Sequence, residues 1–169
     1  IGRLANVHAT DWSWGALMAD FDNNGLKEIF VANGIYKDLM NQDYVNFFNP
    51  VKMNQEIRKG NKQVITKMMD AIPSNPLPNY LFVNDGNLNF ENKAEEWGLG
   101  EPTFSNGSAY ADLDNDGDLD LVVNNVNMPA SIYRNNAETL HPENRFLSFE
   151  FEAKGMNSFG IGTQVSIIH

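Results

Sequence analysis

The sequence contains no cysteine among its 169 residues. A disulfide framework, a thiolate metal site and redox chemistry through sulfur are therefore excluded. No apolar run approaches the roughly 18 residues that a membrane-spanning helix needs, and no signal-peptide pattern is present. Because the chain opens with Ile1 rather than Met, we expect it to be a processed or trimmed piece of a longer protein.

Basic residues are also scarce, with 12 Lys and Arg against 22 Asp and Glu, a formal net charge of -10 and a pI near 4.6. Such a surface repels nucleic acid and anionic membranes at physiological salt, so we expect neither nucleic-acid binding nor direct membrane insertion. Hydrophobic residues make up 42% of the chain, which is enough to bury a core and argues against disorder.

Recognisable catalytic patterns are missing as well. The three histidines, His8, His141 and His169, lie far apart, and none belongs to a His-x-x-x-His pattern. There is no Gly-x-Ser-x-Gly elbow and no glycine-rich phosphate loop. Paired carboxylates could serve glycoside hydrolysis, but the clustered ones are better explained as metal ligands. The sequence therefore predicts a protein that is not an enzyme.

What the chain does contain is an internal repeat. WSWGALMADFDNNGLKEIFVANG, from Trp12, aligns without gaps on FSNGSAYADLDNDGDLDLVVNNV, from Phe104. The two copies are 92 residues apart, as measured from Asp20 to Asp112. This offset is too long for one structural repeat and indicates an insertion.

Each copy centres on an acidic loop that runs directly into a β-rich segment. Oxygen ligands at loop positions 1, 3, 5 and 9, a carbonyl at position 7 and glycine at position 6 suit a hard cation of calcium's size. Oxygen-only ligands exclude a preference for zinc or copper. A strand rather than a helix follows each loop, which distinguishes both loops from an EF-hand. The predicted ligands are Asp20, Asp22, Asn24, Leu26 and Glu28 in the first loop, and Asp112, Asp114, Asp116, Asp118 and Asp120 in the second.

The alternative interpretation is that each loop is a solvated hairpin tip, since Asp, Asn and Gly are common turn formers. The second loop carries an acid at every odd position together with the glycine, so the sequence favours calcium there more strongly. In the first loop, Asn24 replaces an anionic ligand and Leu26 offers only its carbonyl. We expect two Ca²⁺ sites, the one at Asp112–Asp120 being the better supported.

Short strands separated by glycine and asparagine dominate the rest of the chain. They are predicted at 14–19, 28–33, 79–84, 88–91, 106–111, 119–124, 130–134, 145–152 and 163–168. A hairpin is predicted around Asn84-Asp85-Gly86-Asn87, where Asp-Gly supplies residues with positive φ. Short regular strands with an internal repeat favour an antiparallel architecture such as a propeller or solenoid.

The insertion is predicted at about 36–72, where helical spacing replaces the alternation of strands. The helical pattern is carried by Leu39, Met40, Tyr44, Val45, Phe47 and Phe48, and breaks are predicted at Asn49-Pro50 and Gly60-Asn61. Its methionines present either a partner-binding face or a lid over apolar surface: Met40, Met53, Met68 and Met69. Several aromatic residues form either a sugar-stacking platform or packing contacts in the core and between blades, and we favour packing. These residues are Trp12, Trp14, Trp97, Tyr36, Tyr44, Phe47 and Phe48.

Both copies of the repeat resemble the FG-GAP/VCBS repeat, the calcium-binding blade of integrin-α-like β-propellers. NYLFVNDGNLNFENKAEEWGL, from Asn79, is similar to the companion hairpin of that repeat. The segment from Asn144 resembles the opening of the ASPIC/UnbV segment of cartilage-acidic-protein-like and bacterial surface proteins. Its marks are Asn144, Leu147, Gly155, Asn157, Gly160, Ile161, Gly162 and Val165.

The resemblance implies a mainly β fold, a partial β-propeller of about two to three blades with an α-helical insertion. Propeller blades occupy 1–142 in this interpretation, and a truncated ASPIC/UnbV segment occupies 143–169. A closed propeller needs several hundred residues, so we expect the remaining segments of a parent propeller, or a partner, to cover the free sheet edges.

The expected function is a calcium-stabilised scaffold of a secreted or cell-surface protein that binds a protein or a glycan. The alternative is part of a propeller-type polysaccharide lyase or hydrolase whose catalytic residues lie largely outside this sequence.

Overall fold

Two antiparallel sheets account for most of the regular structure. The computed structural model describes residues 1–47, 50–60 and 62–168. The first sheet has four strands in the order β1-β2-β3-β4, namely Ser13–Ala19, Glu28–Asn33, Tyr80–Asn84 and Phe90–Asn92. The second has three strands in the order β5-β6-β7, namely Ser105–Ala111, Asp120–Asn125 and Ser131–Tyr133. The predicted mainly β fold is confirmed.

The sequence repeat is also a structural repeat. Strands β1 and β2 flank the first acidic loop, and β5 and β6 flank the second. In the first pair Ala19 lies opposite Glu28, and in the second Ala111 lies opposite Asp120. Both pairs contain a register irregularity near the start of the leading strand. The two copies therefore fold into the same loop-and-hairpin unit.

The two sheets share one hydrophobic core. Phe30 and Leu81 from the first sheet and Leu121 and Val123 from the second are all at most 5% exposed and belong to one cluster of buried side chains. Strand β5 lies against β1 and β2 across the gap between the sheets. This face-to-face packing of short twisted sheets is that of a partial, propeller-like β fold.

The helical insertion lies between β2 and β3 and has three short helices: α1 (Gln42–Phe47), α2 (Pro50–Arg58) and α3 (Lys62–Asp70). Pro50 begins α2, where its missing N–H costs nothing, and Gly60, with φ of 67°, follows α2. The predicted breaks are confirmed at these two residues, while Phe48, Asn49 and Asn61 lie outside the described residues. The side chains of Phe47 and Met53 are likewise outside the description.

The start of the predicted helical pattern was wrong. Leu39 and Met40 precede α1 in a turn and are 60% and 66% exposed. The Asp38 carboxylate accepts the N–H of Met40 at 3.0 Å, and this local bond competes with helical hydrogen bonding. The ends of the insertion lie together, since Ile35 forms an isolated β-bridge with Asn75. The chain thus leaves the first sheet for the insertion and returns to it at neighbouring positions.

The two predicted strands at 145–152 and 163–168 are not formed. The first has the right alternation, but its backbone makes no strand ladder, and Phe149 and Phe151 stack on each other at 6.3 Å between ring centroids instead. An alternating sequence becomes a strand only when a neighbour accepts its hydrogen bonds. A short helix that the sequence did not predict, α4 (Ala137–Leu140), precedes this region.

The predicted hairpin exists, but its connection is longer than a tight Asp-Gly turn. Strand β4 begins at Phe90 and pairs with Asn84, so residues 85–89 form the loop. Gly86 has a φ of 80°, as expected, and Leu88 has a φ of 58°. Asp85 holds the loop by accepting the N–H of Asn87 at 2.8 Å.

The packing interpretation of the aromatic residues is right for some of them and wrong for one. Trp97 packs against the shared core, and Tyr36 meets Phe104 edge to face at 5.2 Å. Trp14 is 57% exposed, because it lies on the open face of β1, although its indole N–H donates to the Gly34 carbonyl at 2.5 Å. In the part of the chain that is described, no helix has both the length and the apolar character needed to cross a membrane.

Candidate metal centres

The first acidic loop is folded around its first aspartate. Asn23 and Gly25 have positive φ values of 57° and 89°, which turn the following amides inward. One oxygen of Asp20 accepts the N–H of Asn24 at 3.0 Å, and the other accepts the N–H of Gly25 at 2.9 Å. Sequence and backbone therefore agree, because only Asn, Asp and Gly adopt such values at little cost.

The second loop has the same backbone. Asn115 and Gly117 have φ values of 62° and 93°. The Asp112 carboxylate accepts the N–H groups of Asp116 and Gly117 at 3.2 and 3.1 Å. The repeated hydrogen bonds show that both loops use one design, independent of which acids they carry.

The first loop brings Asp20, Asp22 and Glu28 together, with one carboxylate oxygen of each within 4.8 Å of the others. Glu28 is fully buried at the start of β2. Its Oε2 accepts the N–H of Phe21 at 2.9 Å, whereas Oε1 has no hydrogen-bond partner among the described residues. Burial raises the pKa of Glu28 to about 7 despite the Phe21 N–H, and burial also raises the pKa of Asp22. Both shifts indicate carboxylates that need a positive neighbour to stay ionised.

No lysine or arginine among the described residues forms an ion pair with these three acids. Three carboxylates, one of them carrying an orphaned buried oxygen, fit a hard cation that accepts only oxygen ligands. The predicted ligand Asn24 lies beside Asp22 and donates to it at 2.9 Å, while its own Oδ1 accepts the N–H of Leu26 at 2.7 Å. Leu26 has only its carbonyl to offer, as its sequence position implies.

The second loop brings Asp112, Asp114 and Asp116 within 4.8 Å of one another. Arg134, which follows β7, reaches this group. Its Nε lies 2.8 Å from Asp114 Oδ2, and its Nη2 lies 3.2 Å from Asp116 Oδ2. The side-chain hydrogen bond to Asp116 and the charge of Asp114 raise the pKa of Arg134. The protein thus supplies a cation of its own to this loop, which it does not do in the first.

The remaining two acids of the second loop are held by other backbone N–H groups. Asp120 accepts the N–H of Leu113 at 3.0 Å and the N–H of Asn135 at 2.8 Å, so both its oxygens are satisfied. Asp118 is 1% exposed, and its Oδ2 accepts the N–H of Ala137 at 2.8 Å. Burial, with the neighbouring carboxyl of Glu138, raises the pKa of Asp118 to about 7.

The arrangement of acids changes the order of preference that the sequence indicates. By sequence, the second loop is the better calcium candidate because it carries more acids. In the structure, the first loop holds the fully buried Glu28 with an unpartnered oxygen, while the second has Arg134 on two of its acids. Charge balance therefore favours the first loop as the site that needs an external cation.

The two loops are joined to each other by asparagine side chains. Asn23 Nδ2 donates to the Gly117 carbonyl at 3.3 Å, which links the first loop directly to the second. Asn135 Nδ2 donates to the Phe21 carbonyl at 2.6 Å and to the Leu119 carbonyl at 3.2 Å. Short asparagine side chains therefore connect the two loops directly.

Sequence reasoning missed three residues of this region: Arg134, Asn135 and Glu138. A signal was present, because β7 occupies the place in its sheet that β3 occupies in the first. Val83-Asn84 then corresponds to Arg134-Asn135. Asn84 and Asn135 even donate to equivalent carbonyls, those of Lys27 and Leu119. Comparing the hairpins as well as the loops would have found Asn135, but not Arg134 or Glu138, whose counterparts in the first repeat are Val83 and Asn87.

A cleft of about 160 Å³ lies beside the first loop and is lined by Asp22, Trp97, Arg134 and His141, among others. His141 Nδ1 is 3.7 Å from Glu143, and its charge lowers the pKa of Asp22 as one of the weaker influences on that group. His8 does not line this cleft, and His169 lies outside the described residues. Among the described residues, His141 is the one histidine that lines this cleft.

Comparison with known families agrees with the second copy of the repeat. A family model described as an FG-GAP-like repeat matches residues 68–123. The match runs from α3 through β3, β4 and β5 to the second acidic loop and into β6. No curated protein matches the chain with significance. Residues 68–123 therefore contain an FG-GAP-like repeat, and the first acidic loop lies outside the matched range.

Proposed function

We propose that this chain is part of a calcium-stabilised β-propeller of a secreted or cell-surface protein and that it serves as a scaffold for binding a protein or a glycan. The observation that carries the proposal is the first acidic loop. There the buried Glu28 places an unpartnered oxygen beside Asp20 and Asp22.

Calcium would be held by oxygens of the two loops: Asp20, Asp22, Asn24, Leu26 and Glu28 in the first, and members of the set Asp112, Asp114, Asp116, Asp118 and Asp120 in the second. When bound, the ion supplies the positive charge that lets these carboxylates stay ionised. Glu28 begins β2 and Asp20 directly follows β1, so a cation held by both would fix the start of one strand against the end of the other.

We propose an extracytoplasmic location. Calcium sites of extracellular modules typically have a Kd of ~0.1 to 1 mM, which cytosolic calcium would not fill. FG-GAP repeats are typical of extracellular proteins. The net charge of -10 argues against nucleic acid and against direct membrane insertion.

The sheets also support the expectation of further propeller segments. The first sheet has four strands, whereas β7 is an edge strand of a three-stranded sheet and Ile132 in it is 70% exposed. Unpaired strand edges bind other strands. We propose that the remaining segments of a parent propeller cover this edge and that residues 143–169 begin an ASPIC/UnbV segment.

The ligand surface that we favour is the open face of the two leading strands. Trp14 and Met18 on β1 are 57% and 56% exposed, and Tyr110 on β5 is 41% exposed. Exposed aromatic and methionine side chains suit contact with a protein surface or the face of a sugar ring. We propose a non-enzymatic role, in which the clustered carboxylates serve as metal ligands.

Thermal unfolding tests the calcium claim. The metal-stripped protein is compared with the same protein in millimolar calcium, alongside Glu28→Gln and the exposed-acid control Glu101→Gln. At calcium a hundredfold above Kd, binding adds about 2.7 kcal/mol of stability, which raises Tm by several degrees. The parent and Glu101→Gln should show this shift, and Glu28→Gln should show a smaller one, because it loses the contribution of the first loop. Equal shifts in all three proteins would contradict the assignment of calcium to the first loop.

A further inference from the structure

Asp118 is a buried acid whose side chain the loop motif does not use, because position 7 of the motif contributes its backbone carbonyl. Its side chain is 1% exposed, and only Oδ2 has a partner, the N–H of Ala137. Asp118 Oδ1 has no hydrogen-bond partner among the described residues. A buried carboxylate oxygen left without a partner is costly, so something must neutralise it.

The nearest groups to that carboxylate are also acids. Asp116, Asp118 and Glu138 each offer one oxygen within 4.8 Å of the others. Ionised carboxylates are acceptors only, so acids this close together are stabilised by a cation or by a shared proton between them.

The first repeat shows that this cluster does not come from the loop design itself. By the strand pairing, Leu26 stands where the second repeat has Asp118, and Asn87 stands where it has Glu138. The Leu26 side chain lies against Gly86, since a Cβ added to this glycine would be 3.4 Å from Leu26 Cδ1. In the first repeat, an apolar side chain therefore takes the place of the Asp118 carboxylate. The second repeat therefore has two acids at the positions where the first repeat has a leucine and an asparagine.

The arginine of the second loop feels the charge of Glu138 but does not contact this pair directly. Arg134 forms ion pairs with Asp114 and Asp116 and, among the described residues, with neither Asp118 nor Glu138. Asp116 is shared, because its Oδ2 accepts from Arg134 while its Oδ1 accepts the N–H of Asp118. A cation can therefore lie at Asp118 and Glu138 while Arg134 keeps its place.

We propose that Asp116, Asp118 and Glu138 form a binding site for a hard divalent cation, in which the side chains of Asp118 and Glu138 lie outside the ligand positions that the repeat motif defines. The oxygen-only ligand set suits calcium. Because Glu138 lies on α4 and Asp116 and Asp118 lie on the second loop, the cation joins the short helix to the loop. The site goes beyond the proposed function, since it does not depend on calcium at Glu28.

Calcium binding by equilibrium dialysis, with calcium as the only added metal, tests this site. The parent chain is compared with Glu138→Gln and with Glu101→Gln, which changes an exposed acid elsewhere. We expect Glu138→Gln to lose one calcium equivalent or to bind it at least ~10-fold more weakly, a change of about 1.4 kcal/mol in binding free energy. Glu101→Gln should match the parent.

A second variant keeps the test independent of folding effects. Asp118→Asn retains an oxygen acceptor for the Ala137 N–H, and it should lose the same equivalent as Glu138→Gln. If both variants bind as many calcium ions as the parent with the same affinity, the proposal is overturned. This result would also be expected if the two carboxyls share a proton instead of a cation.

The two calcium claims are distinguishable. Glu28→Gln should remove a different equivalent and leave the one that Glu138→Gln removes. If Glu28→Gln loses a calcium equivalent and Glu138→Gln loses no equivalent, the Glu138 site is contradicted and the proposed function is supported. The opposite pattern would remove calcium from the first loop and leave the Glu138 site.

Discussion

The side chain of Asn135 donates a hydrogen bond to the backbone carbonyl of Phe21 at 2.6 Å, across 114 residues of sequence. The same side chain reaches the Leu119 carbonyl, and the backbone N–H of Asn135 donates to Asp120. Asn135 alone, shortly after the end of β7, therefore contacts both acidic loops. Their structures are tied together whether or not a cation is bound.

Replacing Asn135 with alanine should destabilise the chain by about 1 to 3 kcal/mol, because the Phe21 and Leu119 carbonyls lose their side-chain donor. The matched control is Asn84→Ala at the equivalent place in the first repeat. Asn84 donates across to a single carbonyl, that of Lys27, at 3.4 Å, so its loss should cost less. Urea unfolding of both variants makes the comparison, and an Asn84→Ala loss as large as that of Asn135→Ala would contradict the linking role.

The sequence predicted much of this arrangement because its signals are local. Alternating side chains and an Asn-x-Gly pattern specify a strand, a turn and a strand within about twenty residues, and both copies fold as that unit. The failures need information from distant residues. Segment 145–152 alternates correctly yet is not a strand, since no neighbour pairs with it, and Arg134 and Glu138 reach the acids only through the sheet pairing of β7.

The pKa of Glu28 predicts a specific pH dependence for the metal-free protein. The group has a pKa of about 7 in the folded chain and an ordinary value of 4.5, so the folded state binds the proton more tightly. The contribution of Glu28 to the free energy of unfolding should be fully present below about pH 4.5. It should fall as the pH rises through 7 and level off above it. Urea unfolding of metal-stripped protein measures this, and Glu28→Gln should show a shallower fall.

Asp118 has a raised pKa as well, so Glu28→Gln should remove part of the pH dependence and leave the rest. The double variant Glu28→Gln with Asp118→Asn should remove more of it between pH 5 and 8 than Glu28→Gln alone. A pH profile that is unchanged in Glu28→Gln would contradict the buried, unpartnered state of Glu28. Calcium binding at the first loop should strengthen over the same range, because the ion competes with the proton.

Arg134 should compete with calcium for the second loop. Replacing it with glutamine removes the positive charge from Asp114 and Asp116, so calcium affinity there should rise by up to ~10-fold, or about 1.4 kcal/mol. Arg134 is largely exposed, so stability in the absence of metal should change by less than ~1 kcal/mol. Calcium titration followed by calorimetry measures the affinity, with Arg3→Gln as the control for net charge. Equal affinities in both variants would show that the arginine does not compete.

The shared core makes the two sheets one folding unit. Leu81 is 1% exposed and lies in the cluster that includes Leu121 and Val123 of the second sheet. Leu81→Ala should cost about 2 to 5 kcal/mol and leave a single unfolding transition. Ile132→Ala, at a side chain 70% exposed, should change stability by less than about 0.5 kcal/mol. Two separate transitions in differential scanning calorimetry would mean that the sheets unfold independently.

The most direct test of the calcium account is a crystal structure grown in millimolar calcium, with anomalous difference density used to identify the ion. The account predicts a calcium peak among Asp20, Asp22 and Glu28, with Glu28 Oε1 turned toward it. No peak at that place, with Glu28 Oε1 bonded to a protein donor instead, would contradict it.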